Sequence, residues 1–246
     1  MLPTPNFFQR NLAPINLLKK LGHKIIEPVP SLFTFNIKDE RIKDLPGIAT
    51  EAVVKINSKK VNLESKGPLL ITHWGMSGPG ILKLSAWGAR DLEKLNYQFE
   101  IKLNWLPGYS SEEILDQLKE LKNKLAKQQV LKNAQFDLPK RLWRNLIVAA
   151  GITDGTTWAD LNKNQLQNLS AQLTEASFKV NGKSTFKEEF VTAGGVDLKE
   201  VNFKTFESKL YKNLFLAGEI LNIDAITGGF NFQNAWTGGF LAAQAM

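Results

Sequence analysis

The sequence predicts a mixed α/β fold: a small β-barrel or sandwich and a helical block, followed by part of a nucleotide-binding α/β layer. Three observations carry this expectation. Short β-like runs broken by Pro, Gly, Asn and Lys occupy residues 25–105. Leucines at helical spacing dominate residues 110–174. The chain then ends on apolar runs that finish in glycine and lead into a last helix, an order of strand, glycine turn and helix that suits a nucleotide-binding layer. With 246 residues, 43% of them apolar and 22% charged, the chain is large and apolar enough to bury a core.

Taken in order, Leu12, Ile15, Leu18 and Leu21 predict a helix over residues 11–22 that stops at Gly22. Residues 1–10 show no pattern. The clearest strand runs from Tyr97 to Trp105, where Tyr97, Phe99, Ile101, Leu103 and Trp105 alternate with polar residues. A helix over 79–90 interrupts the β region, with Pro79 in its first turn and Ile81, Leu84, Ser85 and Gly88 on one face. In the helical block, Ser110 with Glu113 and Asn162 with Gln165 have capping-box spacing, and Pro139 opens a helix between them. Phe178 and Val180 alternate with polar neighbours, and a final Ala- and Gly-rich helix is expected over 231–245.

Composition removes several function classes. The chain has no cysteine, which excludes a disulfide framework, thiolate catalysis and a redox dithiol. Its two histidines, His23 and His73, stand far apart, so no histidine metal site is expected. The net charge of +7 comes from lysines spread along the chain, with few arginines, and reads as a solvated surface rather than a nucleic-acid site. The start, MLPTPNFFQRN, lacks signal-peptide features, and no apolar run approaches the ~20 residues of a membrane span. A cytoplasmic protein without a membrane partner is the expectation. Acidic residues form no paired constellation, with Glu188 and Glu189 on an exposed strand, so hydrolysis is not expected.

The segment from Asn213 to Phe240 is the most informative. An apolar strand is expected to end at Ala217, where Gly218 permits close approach of a ligand and Glu219 offers a carboxylate at the strand's end. Gly228 and Gly229 lead directly into the last helix, whose free N–H groups and positive dipole end favour an anion or polarised carbonyl. The anionic end of a reduced flavin is one such partner; an ordinary glycine turn capped by Asn231 is the other reading. The segment Thr72-HWGMSGPG carries Gly75, Gly78 and Gly80 in an order unlike that of dinucleotide-binding turns, and Pro79 removes an amide. Within it, His73 is either an acid or base at neutral pH or a structural hydrogen-bonding group. Trp87, Trp105, Trp143 and Trp158 are expected in the core, and Trp236 either beside a cofactor or on the last helix's inner face.

Three stretches are similar to the BaiN-like, or aminoacetone-oxidase-like, FAD-dependent oxidoreductases: LFLAGEILNIDAITGGFNFQNAWTGGF, GPLLITHWGMSGPGILKLSAWGARDL and VTAGGVDLKEVNFKTFESKL. The similarity runs from about Leu21 to Phe240. It implies a two-dinucleotide-binding-type FAD domain interrupted by a β-barrel-like and a helical insert. Here that means a remnant of an FAD-domain helix over 1–24, the barrel over 25–108, the helical insert over 109–175 and the C-terminal part of the FAD domain over 176–246. It also implies hydride transfer between flavin and a small substrate, with NAD(P)H as a candidate electron source. By position, Gly218 and Glu219 are expected near the ribityl and pyrophosphate, and Gly228, Gly229, Phe230, Asn231 and Gln233 beside the flavin ring. Thr192, Gly194 and Gly195 are expected in a nearby turn.

The departure is at the front. The family opens with a strand and G-x-G-x-x-G turn that hold the pyrophosphate at a helix N-terminus. Before LKKLGHKI this chain has FFQRNLAPIN and no such turn. The resemblance therefore implies an N-terminally truncated form, either completed by a separately encoded FAD-binding segment or a non-catalytic fragment.

Overall fold

The computed structural model describes residues 7–56, 58, 61–184 and 191–246. The expectations for residues 1–6, for the Leu12 side chain and for a strand bearing Glu188 and Glu189 lie outside that set. In chain order the elements are α1 (Phe7–Lys20), β1 (Ile25–Ser31), β2 (Phe35–Asn36), β3 (Ala49–Ile56), β4 (Glu64–Ile71), β5 (Gly75–Ser77), α2 (Pro79–Trp87), α3 (Ala89–Lys94) and β6 (Gln98–Asn104). There follow α4 (Ser111–Lys124), α5 (Lys140–Ala149), α6 (Lys163–Thr174), β7 (Ala176–Asn181), β8 (Val191–Val196), β9 (Val201–Asn202), β10 (Glu207–Ser208) and α7 (Phe230–Ala245). No helix among the described residues is long and apolar enough to cross a membrane.

The chain divides into two compact units, and the division crosses the sequence several times. One comprises Phe35–Ile81 and Leu95–Lys183; the other comprises Met1–Thr34, Leu82–Lys94 and Ser184–Met246.

The first unit is a barrel with a helical block. Its strands lie in the order β2-β5-β4-β3-β6-β7, each pair antiparallel. The sheet closes where Phe35 bridges Lys183, the Asn36 amide donates to the Gly182 carbonyl (3.0 Å), and the Asn36 side chain donates to Lys183 O (2.7 Å). The barrel is nearly closed, and the bridge covers part of the edges that an open sheet would leave. Alternation supplies the lining: Val54, Ile56, Leu69, Ile71, Ile101, Leu103 and Phe178 are all buried. A Cβ at Gly75 would lie 2.2 Å from the Phe35 carbonyl oxygen. The glycine in HWGMSGPG is therefore a packing requirement of the β2–β5 contact.

The helices form as their local signals dictate. Ser110 with Glu113 and Asn162 with Gln165 make complete capping boxes at the starts of α4 and α6. On α5, Leu142, Trp143, Leu146 and Ile147 are fully buried, and the Trp143 indole donates to Val130 O (2.8 Å). Two strands fall elsewhere than the sequence pattern placed them. β1, expected to open the barrel, pairs instead with β8, while β7 adds to the barrel beside β6. Strand partners are chosen by the tertiary edge on offer, which the local pattern does not encode.

The second unit is built on the β1–β8 pair, with α1, α2, α3 and α7. Its core gathers Leu18, Val196, Val201, Phe206, Leu216, Leu221 and Ala242. Between α1 and β1 lies a buried polar staple. His23, 3% exposed, bonds through Nδ1 to Glu200 Oε2 (2.8 Å) and through Nε2 to Ser208 Oγ (3.2 Å). Glu200 also accepts from the Lys24 amide (3.0 Å), and Ser208 Oγ from the amides of Leu210 and Tyr211 (both 3.1 Å). The serine and the imidazole are thus engaged structurally. We predict that His23→Ala lowers unfolding free energy by about 2–3 kcal/mol, because it strands buried partners without replacing them. His23→Gln, which keeps a donor and an acceptor, should recover part of the loss. Urea unfolding of the two variants checks this.

Candidate functional site

The cofactor-binding candidates all fall in the second unit. β8 is buried along its whole length. Thr192 pairs with Pro30 of β1, and Gly195 with Ile26. The register slips between Ile26 and Val29, and there the β1 backbone crosses Gly194 so closely that a Cβ would meet the Glu27 carbonyl oxygen at 2.6 Å. Gly195 faces the other way. Its φ is 123°. A Cβ on it would lie 2.5 Å from the Ile220 carbonyl oxygen. A parallel bridge from Val196 to Leu221 and a hydrogen bond from the Asn222 amide to Val196 O (3.0 Å) fix the contact. Gly195 therefore adjoins the single 3-10 turn Gly218–Ile220 that carries Glu219, whereas Thr192 and Gly194 meet β1; the three lie in strand β8 and not in the turn expected of them, because β1 offers an edge that takes their hydrogen bonds.

The strand expected up to Ala217 does not form. Asn213 takes a left-handed conformation (φ 65°), Phe215 makes one bridge to Glu207, and the backbone then enters the 3-10 turn. An extended apolar segment becomes a strand only where an edge can take its hydrogen bonds. The edge available among the described residues is the two-residue β10.

From Gly218 the chain returns to α7, where the Ala235 Cβ lies 3.5 Å from a Cβ built on Gly218. Gly228 (φ 123°) and Gly229 (φ 84°) turn the backbone into the helix, and Gly229 is its N-cap with no side-chain cap bond. Asn231 does not serve as the cap. Its amide side chain accepts from the Ala225 N–H (2.8 Å) and donates to the Ala225 carbonyl (2.9 Å), closing the loop from 225 to 231. The main-chain Gln233 N–H donates to Gly229 O (2.9 Å), and its side chain to Thr237 Oγ1 (3.1 Å). The first-turn amides of α7 thus have no intrahelical acceptor and no side-chain cap, and Gly228, Gly229 and Phe230 around them are exposed. An uncapped helix start with a rigidly tied loop behind it can face an anion or a polarised carbonyl. That chemistry fits the pyrimidine end of a flavin.

The aromatic residues of α7 are a second feature. Phe230, Phe232, Trp236 and Phe240 are exposed by 56–69%. Trp236 thus does not fill an inner face; Gly238 and Ala242 do. Trp87, expected in the core, is also half exposed because it lies off the stripe of Ile81, Leu84 and Ser85 that α2 buries.

His73 belongs to the first unit. It stands exposed in the turn between β4 and β5, which Thr72 Oγ1 braces by accepting from the amides of Trp74 (3.3 Å) and Gly75 (3.2 Å). With Ile37, Lys38, Asp39 and Lys43 it lines a hollow of about 330 Å³. No hydrogen bond joins its ring to a described residue.

Sequence reasoning missed Asp224. It is half-buried in the loop before Gly228, where its Oδ2 accepts from the hydroxyl of fully buried Ser31 (3.3 Å). Burial raises its carboxyl above the ordinary aspartate range, outweighing the opposing pull of the Ser31 hydrogen bond and the Arg90 charge. With Trp87, Arg90, Lys94 and Ala193 it lines a cavity of about 340 Å³. The available signal was an acid inside the glycine-rich loop; nothing local reveals its burial.

One unit is a nearly closed barrel with a helical block and the other is a glycine-rich α/β unit, the organisation of a protein that carries an insert domain. Residues 29–191 match the HI0933-like protein barrel and H2TH domain. The chain belongs to the HI0933-like family of BaiN-like flavoproteins. Among curated proteins it is 30% identical over 231 residues to the ribosomal RNA dihydrouridine synthase of Haemophilus influenzae, covering 92% of this chain and 54% of that protein. It is 31% identical over 206 residues to the protein of the same name from Escherichia coli (83% and 48%). It is 26% identical over 230 residues to the 3-dehydro-bile acid delta(4,6)-reductase of Clostridium scindens (93% and 56%). The chain spans about half the length of the curated relatives it matches.

Proposed function

We propose that this chain is the barrel-bearing part of an FAD-dependent oxidoreductase that reduces a conjugated carbon–carbon double bond. The observation that carries this reading is the uncapped, glycine-introduced start of α7, a helix whose Ala235 packs on Gly218 of the Gly218–Ile220 turn. The amides of Phe230 to Phe232 would hold the electron-accepting end of the ring, and Gly194 and Gly195 keep side chains out of the space where main chains converge. When bound, the flavin supplies two-electron transfer, and the protein binds, orients and excludes water. NAD(P)H is the proposed electron source. The double-bond reaction is the chemistry shared by the names of the relatives, which concern a dihydrouridine and a reduced bile acid. A small unsaturated molecule is the proposed substrate; the names of two relatives make an RNA uridine the competing one.

A second reading, that another polypeptide completes the chain, is favoured by the exposed aromatic stripe on α7. A dinucleotide-binding α/β segment is the proposed occupant. The test is co-expression with a G-x-G-x-x-G strand–turn–helix segment, then a visible spectrum. A yellow complex with flavin-type absorbance is expected. A co-purified complex that stays colourless in excess FAD contradicts the flavoprotein reading.

A further inference from the structure

We propose that the cavity between α2, α3, β8 and the loop before α7 is a binding site for a planar conjugated carbonyl compound, with Asp224 as the hydrogen-bond donor to its carbonyl oxygen. This deepens the reading above and rests on it for the ligand class. Four observations within the second unit support it. The cavity, about 340 Å³, is large enough for a single ring system. Ala86, Ala89 and Ala193 line it with small apolar surface and leave that volume open. Trp87 lines it too, and its ring is half exposed, so aromatic surface is on offer for stacking in competition with Lys83 Nζ, which lies over the ring at 4.7 Å. Asp224 is the polar group on the opposite element, the loop that Asn231 clamps at Ala225.

The proton on Asp224 gives the site its selectivity. An ionised carboxylate only accepts, and repels a carbonyl oxygen; a neutral carboxyl donates to it. The charged and polar groups facing this carboxyl are Ser31, Arg90, Asp91 and Lys94. Ser31 spends its hydroxyl on Asp224 Oδ2. Arg90 is partly engaged, donating through Nη1 to the Glu27 carbonyl (2.8 Å), and Lys94 pairs with Asp91 (3.0 Å). Neither cation is bonded to Asp224, and burial works against its charge. The site is therefore competent while Asp224 holds its proton and loses competence as pH rises through the raised value.

The shared ligand chemistry has two sources, the uracil ring of a nucleotide and the enone of a steroid. The experiment titrates the chain with uridine in one arm and a conjugated steroid enone in the other, read by calorimetry from mildly acidic to neutral pH. At least one probe is expected to bind, with affinity falling as pH rises. In Asp224→Asn, which keeps an N–H donor at every pH, affinity should become independent of pH. Asp224→Ala should weaken binding roughly tenfold at acidic pH, the worth of one hydrogen bond to a desolvated group. Trp87→Ala, at an exposed position safe for folding, should weaken it likewise. Binding of either probe that is unchanged in both Asp224→Asn and Trp87→Ala at every pH overturns the proposal, as does failure of both probes to bind a chain that is folded by circular dichroism. A chain that takes up flavin but neither probe sinks this inference and leaves the flavoprotein reading standing. Probe binding in a complex that never takes up flavin has the opposite meaning.

Discussion

Gly195→Ala should cost about 3–5 kcal/mol and leave the β1–β8 unit largely unfolded. Two penalties add. The residue sits at φ 123°, a region that L side chains avoid at a cost of about 1–3 kcal/mol. Its new methyl would stand 2.5 Å from the Ile220 carbonyl oxygen and 2.8 Å from the Leu221 carbonyl carbon, both main-chain atoms with no rotamer to yield. Relief requires β8 to move off the Gly218–Ile220 turn, which breaks the hydrogen bond from Asn222 to Val196 and the bridge from Val196 to Leu221. Such a loss is a large fraction of the net stability of an ordinary domain. Hydrogen exchange is the suitable measurement because it reads each unit separately. Amides of β8 and of residues 221–222 should lose protection, while those of β3, β4 and β6 in the barrel keep theirs. Wild-type protection in β8 of the variant would show that the backbone there is not as close as described.

The second large effect concerns the α7 aromatics. Phe232, Trp236 and Phe240 repeat at four-residue spacing on one helix face, and the Phe232 and Trp236 rings lie 5.9 Å apart. Monomeric proteins seldom leave such a patch in water. Covering three large apolar side chains contributes on the order of 5 kcal/mol, about four decades in an association constant. The chain alone is therefore expected to self-associate with rising concentration and to bind apolar dyes. The triple variant Phe232→Ser, Trp236→Ser and Phe240→Ser should be monomeric, bind little dye and keep its fold, since these side chains are exposed. Co-expression with a dinucleotide-binding segment should suppress dye binding of the wild type and not be retained by the variant. Sedimentation velocity decides, and a wild-type chain that stays monomeric and dye-free at high concentration contradicts the docking role.

What could be read from the sequence was local. Ser110 with Glu113 and Asn162 with Gln165 need a spacing of three residues, and both boxes form. The alternation of Ile101 and Leu103 needs only a strand with one buried face. The pairing of β1 with β8 was hidden, because Ile26 and Gly195 stand far apart in the chain and neither run names its partner. The same distance hid the staple that joins His23 to Glu200 and Ser208. Trp87 defied composition: a large aromatic suggests a core, and its angular position on α2 puts it outside. Of the candidate site, the turn at Gly228 and Gly229 into the last helix was legible, because a positive φ there demands that residue type, whereas Gly195 was expected in a turn and lies in β8. Asp224 was not, because burial depends on chain segments that Ser31 and Arg90 bring from elsewhere.

A flavin ring lying against the first turn of α7 is the central expectation. Its most direct test is backbone amide NMR of the reconstituted complex, with and without FAD, assigned over Gly228 to Gln233. The N–H resonances of Phe230, Asn231 and Phe232 are predicted to shift the most among the described residues and to move again on reduction. Stoichiometric FAD uptake that leaves those amides where they were would place the ring elsewhere and contradict the account.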